Sequence, residues 1–180
     1  MLSKEEYNYY KKKVLNFFDE SNIILSEKEK ENIEIADFGL ERLNEFGLQL
    51  IEYINTERVC SKDLVLFPKQ ICPEHIHPDI GGLPGKEETF RCRYGQVYLY
   101  INGKFTPDPK ASIPKDKKKY FTVWHEISLH PGEQFTIPPN TLHWFQSGKE
   151  GAIISEFSTK STDENDIFTD PHIQRIPKIK

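Results

Sequence analysis

PEHIHPDIGGLPGKEETFRCRYG, residues 73–95, sets two imidazoles one residue apart, follows them with a glycine-rich gap, and then supplies two adjacent glutamates. Residues two apart in a strand point to the same face, so His75 and His77 project side by side toward one interior. Gly81, Gly82, Pro84 and Gly85 let the chain turn back. In the strand that follows, alternation puts Glu88, Phe90, Cys92 and Tyr94 on one face and leaves Glu87 outward. Glu88 thereby joins the histidines. Further on, GEQFTIPPNTLHWF, residues 132–145, carries His143 just past a Pro-Pro-Asn turn, where a neighbouring strand would complete the set. Three imidazoles and one carboxylate suit a divalent transition metal that keeps coordination positions open for substrate oxygens.

The chain around this stretch reads as all-β. After residue 46 the segments GLQLIEYIN, RVCSKDLVLFP, FRCRYG, QVYLYING, KKYFTVWHEISLHPG, EQFTIPP, HWFQSG and GAIISEFST are short and rich in β-branched and aromatic residues. Gly, Pro and Asn separate them. About eight such strands without intervening helices predict a sandwich or barrel and argue against a parallel sheet. Asn102-Gly103 reads as a hairpin turn, and residues 104–119, with three prolines and a lysine cluster, as an exposed loop. Before residue 36 the pattern is helical: Tyr7, Tyr10, Val14, Leu15 and Phe18 recur at three- and four-residue steps behind a Ser3/Glu6 capping box. A shorter helical turn starts at Ser26 with its charges solvated. The expected organisation is one domain over 1–180, with a helical extension over 1–35 and a β-barrel over 36–177.

Composition narrows the function classes. A chain of 180 residues with 12% aromatics can bury its own core. The net charge of -4, with Lys and Arg scattered, provides no broad positive field for nucleic acid or anionic lipid. Cys60, Cys72 and Cys92 are odd in number and lack CxxC spacing, which argues against a disulfide framework or thiolate zinc site and fits a reducing compartment. No segment approaches the roughly 20 apolar residues of a membrane span, and the charged start lacks a signal-peptide core. A cytoplasmic protein is expected, with no nucleic-acid or membrane partner.

The metal motif resembles that of the cupins. Their first motif, HxH, a gap, then E followed by six residues and G, matches His75, His77, Glu88 and Gly95. Their second, G, five residues, P, then xGxxH, matches Gly132, Pro138 and His143, with Asn140 where glycine is usual. Asn tolerates a left-handed backbone, so the turn survives. The gap between His77 and Glu88 is longer than usual. Within the cupins, PEHxHP, GKEETFRxRYGxVYLY and EFSTxSxDExDIFTDP, spread over about residues 36–177, resemble the short form of the D-lyxose isomerase family. That resemblance implies a cupin-type double-stranded β-helix, or jelly roll. It also implies a manganese-dependent ketol isomerase interconverting D-xylulose and D-lyxose, and D-fructose and D-mannose in the same manner. His75, His77, Glu88 and His143 would be the metal ligands. Cupin barrels often pair through their sheets, so a homodimer is expected.

Ketol isomerisation needs a base near the carbon that loses a proton and a cation for the developing enediolate. Glu156 is the candidate base: GAIISEFST is otherwise apolar, alternation puts Ala152, Ile154 and Glu156 on one face, and a carboxylate there is costly unless paired or used. The plainer alternative is an outward carboxylate or an ion pair with Arg175. Lys86 could donate to a substrate oxygen or be a solvated loop lysine; Arg175 or Lys69 could orient the far end of a sugar. One or two of Phe90, Tyr94, Trp124, Trp144 and Phe145 should line the pocket and the rest fill the core. His125, His130 and His172 read as surface or packing residues, Cys92 as a small buried hydrophobe, and Asp37-Phe38-Gly39 as a turn. The same four ligands also serve two other readings, a non-haem iron dioxygenase and a non-catalytic sugar-binding module.

Overall fold

A computed structural model describes residues 2–180. The elements in chain order are α1 (Lys4–Glu20), α2 (Glu27–Glu31), β1 (Glu34–Ala36), β2 (Leu48–Asn55), β3 (Cys60–Leu66), β4 (Ile71–Ile76), β5 (Glu88–Ile101), β6 (His125–Leu129), β7 (Gln134–Ile137), β8 (His143–Ser158) and β9 (Ile167–Phe168). Two strands are long because each serves two layers. β5 and β8 run antiparallel to one another throughout. Residues 88–91 of β5 pair with β7 and 97–101 with β6. β8 pairs with β4 at its start and with β3 from Ala152 to Ser158. One layer is therefore β1-β2-β3-β8-β5-β7 and the other β9-β4-β8-β5-β6, which is the jelly roll. No helix among the described residues is long and apolar enough to cross a membrane.

Alternation decides what lies between the layers. Leu50, Leu64, Phe90 and Ile154 from one layer and Cys72, Leu99 and Phe145 from the other share a buried cluster. The Phe90 and Phe145 rings meet edge to face with centroids 5.0 Å apart. The opposite parity of the first layer, Ile51, Val65 and Ile153, faces outward and is covered by Val14 and Phe18 of α1. The capping box predicted for α1 is present, Ser3 accepting from the Glu6 amide and the Glu6 carboxylate from the Ser3 amide, so the helix starts where the sequence says. A second box, Ser26 with Glu29, starts α2, which buries none of its residues.

Four expectations are corrected. Residues 104–119 do not merely loop into solvent: Ala111 and Ile113 pack with Phe121 and Val123 over Tyr100 and Trp144 and close the outer face of the second layer, and the strand read over KKYFTVWHEISLHPG starts only at His125. Asn102-Gly103 accordingly makes no tight hairpin; the chain first makes this excursion and then returns as β6, where His125 pairs with Ile101. Tyr94 is not on the Glu88 face. The ladder slips between Cys92 and Tyr94, and the extra residue turns Tyr94 outward to the α1 side chain Phe17, ring centroids 6.1 Å apart.

The slip belongs to the place where β5 and β8 pass from one layer to the other. Gly95 pairs with Ala152 and Val97 with Ser147, so residues 148–151 bulge out against Gln96. Gly95 sits at φ 69° and a Cβ on it would lie 2.0 Å from the Gly151 carbonyl oxygen. The position requires glycine on both counts. Gly95→Ala is expected to lower unfolding stability by roughly 3 kcal/mol or more, a loss measurable by urea titration with unchanged slope. A loss below about 1 kcal/mol would mean that the crossover relaxes freely.

Candidate metal centre

His75 on β4 and His143 at the start of β8 are direct cross-strand partners, and His77, two residues beyond His75, shares its face. Each ring is oriented through Nδ1. His75 Nδ1 donates to the Pro73 carbonyl oxygen (2.7 Å), His143 Nδ1 to the Thr141 carbonyl oxygen (2.9 Å) and His77 Nδ1 to Asp166 Oδ1 (2.5 Å). Partners of this kind fix the tautomer and leave Nε2 as the electron-pair donor. The three histidines offer ligand atoms within 4.8 Å of one another, all buried, and could hold a metal ion. Asn140 supplies the turn before His143 at φ 57°, the left-handed conformation expected of the residue that replaces glycine.

Glu88, the first residue of β5, comes in from the other layer. Its Oε1 lies 3.2 Å from His77 Nε2 and 3.0 Å from His143 Nε2, and its Oε2 2.8 Å from Lys86 Nζ. Neighbouring ligands bound at about 2.1 Å around an octahedral cation stand about 3 Å apart, so these spacings fit a shared ion. The alignment makes the stronger test: His143 Nε2 is fully buried, yet no partner among the described residues hydrogen-bonds it, despite Glu88 lying within reach. A buried nitrogen lone pair directed beside a carboxylate oxygen suits coordination better than a hydrogen bond. The residues fit a divalent cation.

The charges show the same demand. Burial, helped by His143 and His77, holds His75 well below the usual imidazole range. Burial and Lys86 oppose charge on His77, but Glu88 and Asp166 outweigh them and bring it up to about 9. Against its own burial, Glu88 is held well below the usual carboxylate range by Lys86 and His77. Lys86 is 7% exposed; burial disfavours its charge, but Glu156, Glu88 and Asp163 keep it an ammonium. It is therefore no solvated loop lysine. Gly85, just before it, packs so closely on the His77 carbonyl that a Cβ would lie 2.1 Å from that oxygen, which pins the Lys86 backbone beside the centre.

Glu156 faces the interior as alternation requires, and is 3% exposed. Its partner is Lys86 Nζ, 3.0 Å from Oε1, and not Arg175. Arg175 instead bridges Glu34 and Asp163, the latter at 2.7 Å. Lys69 lies away from the centre, in a surface groove with Gln96, Lys110 and Lys149. Of the five aromatics, Phe90 and Phe145 line the interior cavity, whereas Trp124 and Trp144 belong to the outer cluster under residues 104–124. His130 and His172 are exposed and His125 is half-buried.

Four residues without an assigned role in the sequence complete the site. Asp166 orients His77; Phe168 stacks on His75 with centroids 5.2 Å apart. Asp163 accepts from Lys62 Nζ (2.7 Å), which is 2% exposed and faces Glu156 across the strands. Against its burial, Asp163 is held well below the usual range by Lys86, Lys62 and Arg175. The only signal for Asp163, Asp166 and Phe168 was the DExDIF wording itself.

The sequence matches the family model described as D-lyxose isomerase over residues 6–180. It is 60% identical over 179 residues to a D-lyxose ketol-isomerase of Thermofilum sp., covering 99% of each chain. It is 59% identical over 180 residues to a D-lyxose/D-mannose isomerase of Thermosediminibacter oceani, covering 100% of this chain and 99% of the relative. Among solved structures, an L-ribose isomerase of Cellulomonas parahominis has a TM-score of 0.81 at 13% identity, covering 99% of this chain and 98% of that one. At that identity the likeness concerns the fold alone.

Cation and proton compete for His77. A folded value of about 9 against 6.5 means that the charged His77 stabilises the cation-free protein fully below about pH 6.5, and that this contribution is lost as pH rises toward 9. Chelator-treated protein should therefore melt at falling temperature across that window. Protein with added Mn²⁺ should hold its melting temperature, so the gap between the two widens; a gap independent of pH would refute the competition.

Proposed function

Because the chain belongs to the D-lyxose isomerase family and is an aldose–ketose isomerase, we propose that it interconverts D-lyxose and D-xylulose, and D-mannose and D-fructose, at the centre built by His75, His77, Glu88 and His143. The observation that carries the assignment is Lys86, an ammonium held between Glu88 (2.8 Å) and Glu156 (3.0 Å) beside the three imidazoles. A metal anchor, a carboxylate that is not one of the histidines' contacts, and a fixed proton donor stand together, and a ketol isomerase needs all three.

The four proposed ligands mix imidazole nitrogen with carboxylate oxygen, a set that accepts Mn²⁺. A cation there would supply Lewis-acid polarisation of the carbonyl and the adjacent hydroxyl of an open-chain sugar. The remaining work falls to side chains. Glu156 takes the proton from C2 of the aldose and returns a proton to C1 of the enediolate, while the O2 hydroxyl proton passes to O1, which yields the ketose. Lys86 donates a hydrogen bond to the oxygen on which negative charge develops and keeps the Glu156 carboxylate in place. Phe168 and Phe90 exclude water from the faces of this chamber, which strengthens both charges.

Removal of metal with chelator should abolish isomerisation of D-lyxose, and Mn²⁺ should restore it without oxygen uptake; oxygen loss on adding iron would favour a dioxygenase. In D₂O the product should carry deuterium on the carbon next to the carbonyl to the extent that the proton held on Glu156 exchanges with solvent before it is returned. Glu156→Gln should keep its metal content while turnover falls by about 10²-fold or more. Near-normal turnover in that variant would remove Glu156 as the base.

A further inference from the structure

The interior cavity beside the histidines measures about 30 Å³, where a single water needs roughly 10–15 Å³ on the same scale. It has room for a small group beside the histidines but not for five or six hydroxylated carbons. Most of its boundary is made of ligands and close-packed core. One side differs: Asp163 and Arg175 line this cavity and also a groove of about 450 Å³ on their far side. The strand register shows how the two connect. Glu52 pairs with Lys62 and Lys62 with Glu156, so the three form one row running from the catalytic carboxylate into the groove. Neighbouring strands lie about 4.8 Å apart, which puts Glu52 about 10 Å from Glu156.

The groove has the chemistry of a carbohydrate surface. Glu34, Glu52, Asn55, Lys62, Ser161 and Glu164 contribute carboxylates, an amide, an ammonium and a hydroxyl around a single apolar strip at Leu50 and Ile176. The wall between groove and cavity consists of side-chain contacts: Lys62 Nζ donates to Ser161 Oγ (2.8 Å) and Asp163 Oδ2 (2.7 Å), and Arg175 to Asp163 Oδ2 (2.7 Å). Asp163 and Ser161 sit on the segment after β8, which is tied to β2 through reciprocal bonds between Asn55 and Ser161. Leu50 of β2 lines both spaces as well, so the boundary is one strand side chain and the Asp163–Arg175 contact.

We propose that this groove is the subsite for the hydroxylated tail of the open-chain sugar, the carbons beyond the two that react, and that the Asp163–Arg175 contact is the side-chain partition the tail displaces. The proposal rests on the isomerase reading. It makes the groove the part of the molecule that senses chain length, while the metal centre handles the carbonyl end.

Linear alditols of four, five and six carbons (threitol, D-arabinitol and D-mannitol) probe it as competitive inhibitors of D-lyxose turnover by the Mn²⁺-loaded full chain. In the unaltered enzyme each added carbon brings a hydroxyl into the groove, and the inhibition constant should fall by about tenfold from four to six carbons. Glu164→Trp, at an exposed position on the groove wall, should abolish that gain and raise the D-lyxose KM more than it lowers kcat. Glu52→Trp on the opposite wall should do the same, which keeps the test decisive if either variant fails to fold. If the unaltered enzyme turns over D-lyxose but shows no chain-length gain, or if the folded variants keep it, the subsite is overturned. If the unaltered enzyme does not turn over D-lyxose at all, the isomerase reading fails first.

Discussion

Three imidazoles, two glutamates and a lysine are buried together between apolar layers of a jelly roll, and that concentration of charge is what the rest of the structure must satisfy. A lone buried charge is costly, and even a buried pair breaks even only with good geometry and further hydrogen bonds. Here Lys86 bridges the two glutamates, Asp166 and two backbone carbonyls hold the histidine Nδ1 protons, and Asp163 joins Lys62 and Arg175. What these contacts leave over is His143 Nε2, buried without a hydrogen bond 3.0 Å from Glu88 Oε1. A divalent cation held by the histidines would answer that lone pair.

The fold explains why groups so remote in sequence can meet. β5 and β8 each traverse both layers, so the first residue of β5, Glu88, and the first residue of β8, His143, bring the two layers together at the centre. Gly95 and Gly151 let the strands change layer, and Gly85 lets the loop before Lys86 lie against the His77 carbonyl. The outer faces are sealed separately, one by α1 and one by residues 104–124, and the interior rows carry both the apolar cluster and the charged groups. The site shares the inward parity with the interior core, and the helix covers the other: Glu156 and Ile154 face inward while Ile153 lies under α1.

Much of this was legible because strand alternation is a local rule. His75, His77 and Glu88 lie within one short stretch whose spacing states their common face, and Glu156 stands out as a charge in an apolar strand. Two kinds of information were not local. Lys62 and Asp163 explain one another only across 101 positions, so each alone reads as a surface charge. Residues 104–119 are diluted by lysine and proline, and nothing periodic marks Ala111 and Ile113 as part of a cover for Trp144. Tyr94 went to the wrong face for a third reason: alternation assumes an unbroken ladder, and the slip after Cys92 breaks it.

The central claim is that four side chains from three separated segments bind one cation inside the barrel. Titration of the metal-free protein with Mn²⁺, followed by electron spin-echo spectroscopy, tests it most directly. The account predicts one bound Mn²⁺ per chain, coupled to the nitrogens of three imidazoles, with one coupling lost in His143→Ala. Absence of bound Mn²⁺, or a nitrogen pattern that His143→Ala leaves unchanged, would contradict it.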